Sequence, residues 1–161
     1  MTPEAAFRKM VALGIFSVDG EGRIWRHKTL TRGSFRLKPK IKDLPAPRRA
    51  ETNGPKGYLM IHFRDPDTSI QYHVLAHRAV WAWFHDKDIP EGMEINHWWG
   101  NKRDNHPDNL ICGTSGENKR HAVDVLGKMR GENHHFAKLT DEQVIEIWNY
   151  CKDHIRHWRI V

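Results

Sequence analysis

The residues that most restrict what this chain can fold into lie in one stretch of sixteen, INHWWGNKRDNHPDNL, at positions 95–110. It holds four asparagines and two histidines, with Asp104, Pro107 and Asp108 besides, which is more polar punctuation than a turn requires. MEINH leads into it and NLICGT leads out of it, both short and rich in strand formers. Thr114-Ser115-Gly116-Glu117 follows with the S/T-x-x-E spacing of a capping box, which predicts a helix running to about Leu126 with Gly127 as its stop. The order is therefore strand, long loop, strand, helix.

A long loop between paired strands leaves backbone donors and acceptors without partners. Asn105 and Asn109 are expected to bond that backbone and close the loop. The residues at its edges suggest chemistry. Phosphodiester cleavage needs a base of near-neutral pKa, a hard divalent cation to stabilise developing charge, and oxygen ligands for that cation. His97, at the end of the first strand, suits the base, since an imidazole titrates near 6.5. Asn96 beside it and Asn118 at the helix start each carry a side-chain carbonyl oxygen for the ion. Adjacent strand residues point to opposite faces, so this pairing requires the strand to end or twist at His97.

The rest of the chain reads as α+β. Thr2 as N-cap, Pro3 at the first helical position and Gly14 as stop predict a short N-terminal helix rather than a signal peptide. FSVDGEGRIWRH alternates around Asp19-Gly20-Glu21-Gly22 as a hairpin does. The basic, Pro-rich residues that follow, with Pro39, Pro45, Pro47 and Pro55, read as a loop. GYLMIHF and IQYHVL, separated by Asp65-Pro66-Asp67, predict two antiparallel strands, and HRAVWAWFH predicts a buried helix in which His77 is structural and the aromatics are core. KMRGENHHFAKL is a polar linker, after which Thr140-Asp141-Glu142-Gln143 opens a helix with Val144, Ile147 and Trp148 on one face.

With 39% apolar and 29% charged residues, the composition is that of a globular protein and not of a disordered tail. The net charge of +6 is unevenly spread: positions 23–49 hold ten Lys or Arg and a single acid, Asp43. Taken alone such a run can be a solvated loop, but beside a candidate phosphodiester site it points to a polyanion. No apolar run reaches the length of a membrane span. Cys112 and Cys151 form no CxxC pattern, which gives no disulfide framework and suggests a reducing cytoplasm. His106, His121, His134 and His135, even with Cys112, lack the spacing of a structural zinc site.

The run HRAVWxWF…EINHWWGNKxDN…DNLI…T…EN…HA resembles the HNH signature of the phage and intron-encoded HNH homing endonucleases, in its H-N-N form. His97 to Asn109 spans twelve residues and His97 to Asn118 twenty-one. The likeness covers roughly residues 58–122, with a weaker continuation through GENHHFAKLTDEQVIEIW that is similar to the lead into a helix-turn-helix. It implies a ββα-metal core with His97 as general base, Asn109 as loop anchor completing the catalytic trio with Asn118, and Asn96 with Asn118 as ligands of one Mg²⁺ or Mn²⁺. The products implied are a 5′-phosphate and a 3′-hydroxyl. Three features depart from the family pattern: Asn at 96 where some members have Asp, Trp98-Trp99 after the histidine, and room for only one helix and a stub at the C-terminus.

The expected organisation is an N-terminal β-rich DNA-binding region over residues 1–75, a nuclease core over 76–127, and an extended segment plus helix over 128–161. Double-stranded DNA is the expected partner of a monomer. The cations expected to contact it are Arg23, Arg26, Lys28, Arg32, Arg36, Lys38, Lys40 and Lys42 in the first region, Lys102, Arg103, Lys119 and Arg120 around the core, and Lys128, Arg130 and Lys138 beyond it. Two rivals stay open at this point: a DNA-binding protein that has lost cleavage, for which Asn96 is the main argument, and an RNA-directed nuclease.

Overall fold

The computed structural model describes residues 1–31, 40–127 and 136–155, with side chains as far as residue 150. The expectations placed on Arg32, Arg36, Lys38, Lys128, Arg130, His134, His135 and the Cys151 thiol fall outside that description. The chain divides into two compact units, Met1–Asn118 and Lys119–Val161.

The first unit begins with α1 (Pro3–Ala12), whose Thr2 Oγ1 accepts from the Ala5 N–H at 3.1 Å and whose end is marked by Gly14 at φ 66°. Strands β1 (Phe16–Val18) and β2 (Ile24–Leu30) form the expected hairpin. Asp19 ties its turn, accepting from the Glu21 and Arg23 N–H groups and from the Trp25 indole. Against the attraction of these donors burial works the other way, and the carboxyl still falls to about 2.

The basic stretch read as a loop contains β3 (Ile41–Arg49), a nine-residue strand antiparallel to β2. Two prolines in a strand are tolerable here for a physical reason. β3 is the edge of the sheet β1-β2-β3, and Pro45 and Pro47 fall between the Lys28–Asp43 and Arg26–Arg48 pairs, where the register is broken by a bulge. No ladder bond has to be made by the missing N–H groups.

A second sheet contains β4 (Thr52–Asn53), β5 (Leu59–Arg64) and β6 (Gln71–Leu75), the last two paired as the sequence implies across the Asp65-Pro66-Asp67 turn. Asp65, fully buried in that turn, is held by Lys9 Nζ at 2.9 Å and by the Asp67 N–H at 2.8 Å. Helix α2 (Ala76–Phe84) follows and buries six of its nine residues, which fits a composition that is apolar except at His77 and Arg78. Phe7 of α1, Phe16 of β1 and Phe63 of β5 meet with ring centroids 5.7 to 6.4 Å apart. The same core takes in Val80 of α2 and, from the hairpin described next, Ile95 and Leu110. One apolar core thus runs through residues on both sides of position 75.

The last elements of the first unit are β7 (Met93–His97), β8 (Leu110–Thr114) and the start of α3 (Ser115–Asp124). This is the strand, loop, strand, helix order read from the sequence, and the mixed α+β class holds. The capping box is formed: Glu117 Oε2 accepts from the Thr114 N–H at 2.7 Å and its hydroxyl at 2.8 Å, while Thr114 Oγ1 accepts from the Glu117 N–H at 3.2 Å. α3 ends at Asp124, two residues short of the expected Leu126.

In the second unit α4 (Asp141–Ile155) opens on the second capping box, with Thr140 and Gln143 bonded reciprocally at 3.0 and 3.2 Å. Val144, Ile147 and Trp148 are exposed on it. Among the described residues no helix is long and apolar enough to cross a membrane.

Candidate active site

β7 and β8 pair antiparallel from Met93–Thr114 to His97–Leu110. Alternation sorts the side chains of β7 onto two faces: Ile95 and His97 are buried, while Glu94 and Asn96 lie on the other side. The strand ends at His97, but alternation still sets Asn96 and His97 on opposite faces of β7, so the strand itself does not bring the two side chains together. Beyond it the chain turns through Gly100 at φ 75°, with the Gly100 N–H donating to the His97 carbonyl at 2.9 Å.

The loop is closed by amides. Fully buried Asn109 accepts from the Trp99 N–H at 2.9 Å through Oδ1 and donates from Nδ2 to the Asp104 carbonyl at 2.8 Å. Its own carbonyl accepts from the Trp98 N–H at 2.8 Å. Asn101 and Asp104 each accept from the backbone N–H two residues on, at 3.1 Å in both cases, so the polar residues of the loop stand in for ladder partners.

Asn105 behaves differently from the sequence expectation. Its side chain does not bond the loop backbone; Oδ1 faces His97 Nε2 at 3.2 Å. An amide oxygen only accepts, so His97 carries its proton on Nε2 and its lone pair on Nδ1. The path of the backbone explains the change. Gly22, at φ 70° in the β1–β2 turn, packs so closely on the loop that a Cβ there would lie 1.9 Å from the Asn105 carbonyl oxygen. The β1–β2 turn thus lies directly against the loop, where Asn105 is buried.

His97 sits in a small aromatic chamber. The His77 ring meets it edge-on at 4.9 Å between centroids, and the Tyr58 ring lies 5.9 Å away. Burial lowers the His97 pKa; the Asn105 bond and the Asp104 charge resist that, and Lys102 adds to it. The ring is therefore neutral at pH 7, the form a base needs. His77 is pushed down to about 3, by burial first and then by the neighbouring His97 and Arg78. It is a packing partner of His97 from α2, a closeness that sequence spacing did not reveal.

On the opposite face of β7, Asn118 of α3 donates from Nδ2 to Glu94 Oε2 at 3.0 Å. Glu94 shares that face with Asn96. Across the ladder from Glu94 stands Gly113, where even a Cβ would come within 3.5 Å of Asn118 Oδ1. The space beside Asn118 is thus open because that strand position has no side chain. The oxygen donors on this face are the Asn96 and Asn118 carboxamides and the Glu94 carboxylate, with Glu117 Oε2 also beside the Gly113 position but bonded into the α3 cap, a hard-oxygen set that fits Mg²⁺ or Mn²⁺ better than a thiophilic ion. Among the described residues no three of His, Cys, Asp and Glu gather at one point. Glu94 was not singled out from the sequence. Its signal was there in the two-residue spacing from Asn96.

Several expected DNA contacts are turned to intramolecular work. Arg26 donates to the His62 carbonyl at 2.6 Å, lies over the Phe16 ring, and has its pKa lowered by burial and by Arg48, so it is a bracket between sheets. Arg23 pairs with Asp19 at 2.8 Å, and Lys28 reaches the Leu13 carbonyl at 3.4 Å. Lys102 donates to the Lys56 carbonyl over the Tyr58 ring, and Arg103 to Asn53 Oδ1, both at 3.0 Å. Lys40 and Lys42 at the β3 edge, and Lys119, Arg120 and Lys138, are exposed.

Residues 74–120 match the family described as HNH endonuclease. This segment carries the HNH signature. The resemblance read from the sequence is borne out over it. The chain is 37% identical over 108 residues to the SPbeta prophage-derived protein YosQ of Bacillus subtilis (strain 168), which is assigned to the HNH homing endonucleases by its name alone. That match covers 66% of this chain and 61% of YosQ. Among solved structures, the HNH homing endonuclease I-HmuI, described for DNA binding and cleavage, aligns over 84% of this chain and 61% of its own, at 20% identity and a TM-score of 0.44. The chain thus spans about three fifths of the length of both relatives.

Proposed function

We propose that the chain is a DNA endonuclease that hydrolyses phosphodiester bonds with the help of one divalent cation, Mg²⁺ or Mn²⁺, leaving a 5′-phosphate and a 3′-hydroxyl. The observation that carries this reading is His97: a neutral imidazole at the end of β7, proton-bearing on the nitrogen that Asn105 holds, within a segment of HNH sequence. His97 Nδ1 takes the proton from an attacking water. Asn105 fixes the tautomer and the ring, and His77 and Tyr58 keep bulk water from the ring's sides. Asn96 and Asn118 hold the ion, which when bound stabilises charge on the phosphoryl oxygens and the departing 3′-oxygen. Asn109 keeps the loop that carries Asn105 in shape. Lys40, Lys42 and Arg48 of β3 contact phosphates of double-stranded DNA.

The test is conversion of supercoiled plasmid to open circles in Mg²⁺, Mn²⁺ or EDTA. Cleavage with either cation and none in EDTA is expected, with His97→Ala slower by on the order of 10²- to 10⁴-fold while duplex binding survives. Because burial depresses the His97 pKa, the acid limb of the rate profile should fall below pH 6.5 rather than above it. A second reading, a DNA-binding protein without cleavage, is favoured by the neutral residue at 96 and by how little of His97 is exposed. Duplex binding with no open circles in either cation would decide for it.

A further inference from the structure

Two neutral carboxamides are a poor site for a hard divalent ion, because such ions are held mainly by charged oxygen ligands. Position 96 supplies no charge. The face of the hairpin that carries Asn96 does carry one carboxylate, Glu94, two residues earlier on the same strand and so roughly 7 Å along it. We propose that Glu94 is the charged member of the cation site, joining Asn96 and Asn118 and supplying there the negative charge that position 96 lacks.

Three observations support the assignment. Glu94 Oε2 already lies at 3.0 Å from Asn118 Nδ2, so the carboxylate and a carboxamide of the site are within one hydrogen bond of each other. That bond turns the Asn118 amide so that its nitrogen faces Glu94 and its oxygen faces away, toward the space left by Gly113. Second, Glu94 is solvent-exposed, and among the described residues no Lys, Arg or His pairs with it, although this chain carries an excess of cations. Its charge is left for another partner. Third, the cross-strand neighbour of Glu94 is Gly113, so no side chain from β8 covers the carboxylate. Glu117, whose Oε2 borders the same Gly113 position, is committed to the α3 cap through the Thr114 N–H and hydroxyl. The proposal rests on the reading of Asn96 and Asn118 as cation ligands, and adds the residue that makes that site anionic.

The experiment is titration of the full chain with Mn²⁺ in the absence of DNA, following bound and free ion by electron paramagnetic resonance, for the parent and for Asn118→Ala, Glu94→Gln and Glu94→Gln/Asn96→Asp. Gln at 94 keeps an oxygen for the Asn118 bond and loses only the charge. Weakening on the order of 10- to 100-fold is expected for Glu94→Gln, with an unchanged unfolding midpoint in EDTA, and recovery of most of the loss when Asp at 96 returns the charge. Parental Mn²⁺ affinity in Glu94→Gln, alongside loss in Asn118→Ala, overturns the role of Glu94 and leaves the cation site standing. Loss in Glu94→Gln that Asn96→Asp does not restore overturns it too, since the charge is then not what mattered. Parental affinity in Asn118→Ala brings down the underlying cation-site reading instead.

Discussion

The ring packed nearest the proposed base is another histidine, and its burial makes a measurable claim about acid stability. In the folded chain His77 stays neutral down to about pH 3, whereas in the unfolded chain it titrates near 6.5. Between those values the unfolded state binds the extra proton, so stability is intact above pH 6.5 and declines as the pH falls. From pH 7.5 to pH 5.0 the window opened is about 1.5 units, and at about 1.4 kcal/mol per unit His77 should remove roughly 2 kcal/mol of stability. His77→Phe keeps a ring against Tyr58 and His97 but cannot titrate. Urea unfolding followed by tryptophan fluorescence at the two pH values gives the drop for parent and variant, and titrating groups away from the chamber enter both alike. The parent should lose roughly 2 kcal/mol more than the variant. Equal losses would show that His77 is hydrated in the folded state, and the dry chamber around His97 would have to be abandoned.

Asn109→Ala leaves the Trp99 N–H and the Asp104 carbonyl without their buried partner and should cost about 2 to 4 kcal/mol in urea unfolding, more than a surface Asn would. Gly22→Ala adds a methyl 1.9 Å from the Asn105 carbonyl oxygen at a φ of 70°; it should lower the thermal midpoint and slow nicking together, because the loop it displaces carries the His97 partner. Thr114→Ala removes the α3 cap and should cost about 1 kcal/mol by the same unfolding assay. If DNA is held through six to ten phosphates, the affinity measured by fluorescence anisotropy should drop by roughly 10³- to 10⁵-fold between 50 and 200 mM salt.

What could be read from the sequence was what is decided locally. Both capping boxes are reciprocal bonds between residues three apart, and the Asp19 and Asp65 turns are side chains bonding their own backbone, so spacing alone announces them. The His97 and Asn109 spacing was legible for a similar reason, since the loop's length is part of the motif. β3 was missed because proline is a strand breaker in general, and only the partner strand reveals that Pro45 and Pro47 lie at an edge and within a bulge. Asn105 and Asn109 look alike in sequence. Which of them closes the loop and which turns to His97 is decided by tertiary packing, in which Gly22, more than eighty residues away, lies against the Asn105 backbone. Arg26 was counted as a free cation because its acceptor, the His62 carbonyl, belongs to a different sheet. Glu94 passed for an ordinary solvent-face residue of an alternating strand.

The same contacts bear on how the part before the hairpin serves the site. A region whose work was only to hold DNA would touch the catalytic loop little. Here Tyr58 forms one side of the His97 chamber, Gly22 presses on Asn105, Asn53 takes Arg103, and the Lys56 carbonyl takes Lys102. Four separate positions between 22 and 58 therefore fix the loop at its base, its middle and its cationic tip. Arg26, expected on the DNA, instead locks the β1-β2-β3 sheet to β5, the strand that begins next to Tyr58. The basic hairpin and the HNH loop are mechanically one object, so under the proposed function a phosphate drawn to the exposed edge of β3 would be tied through a short run of rigid contacts to the imidazole proposed to act on its neighbour. Recognition and cleavage in such an arrangement are difficult to separate by mutation, and a substitution that loosens the hairpin should reach His97 even where it touches no DNA.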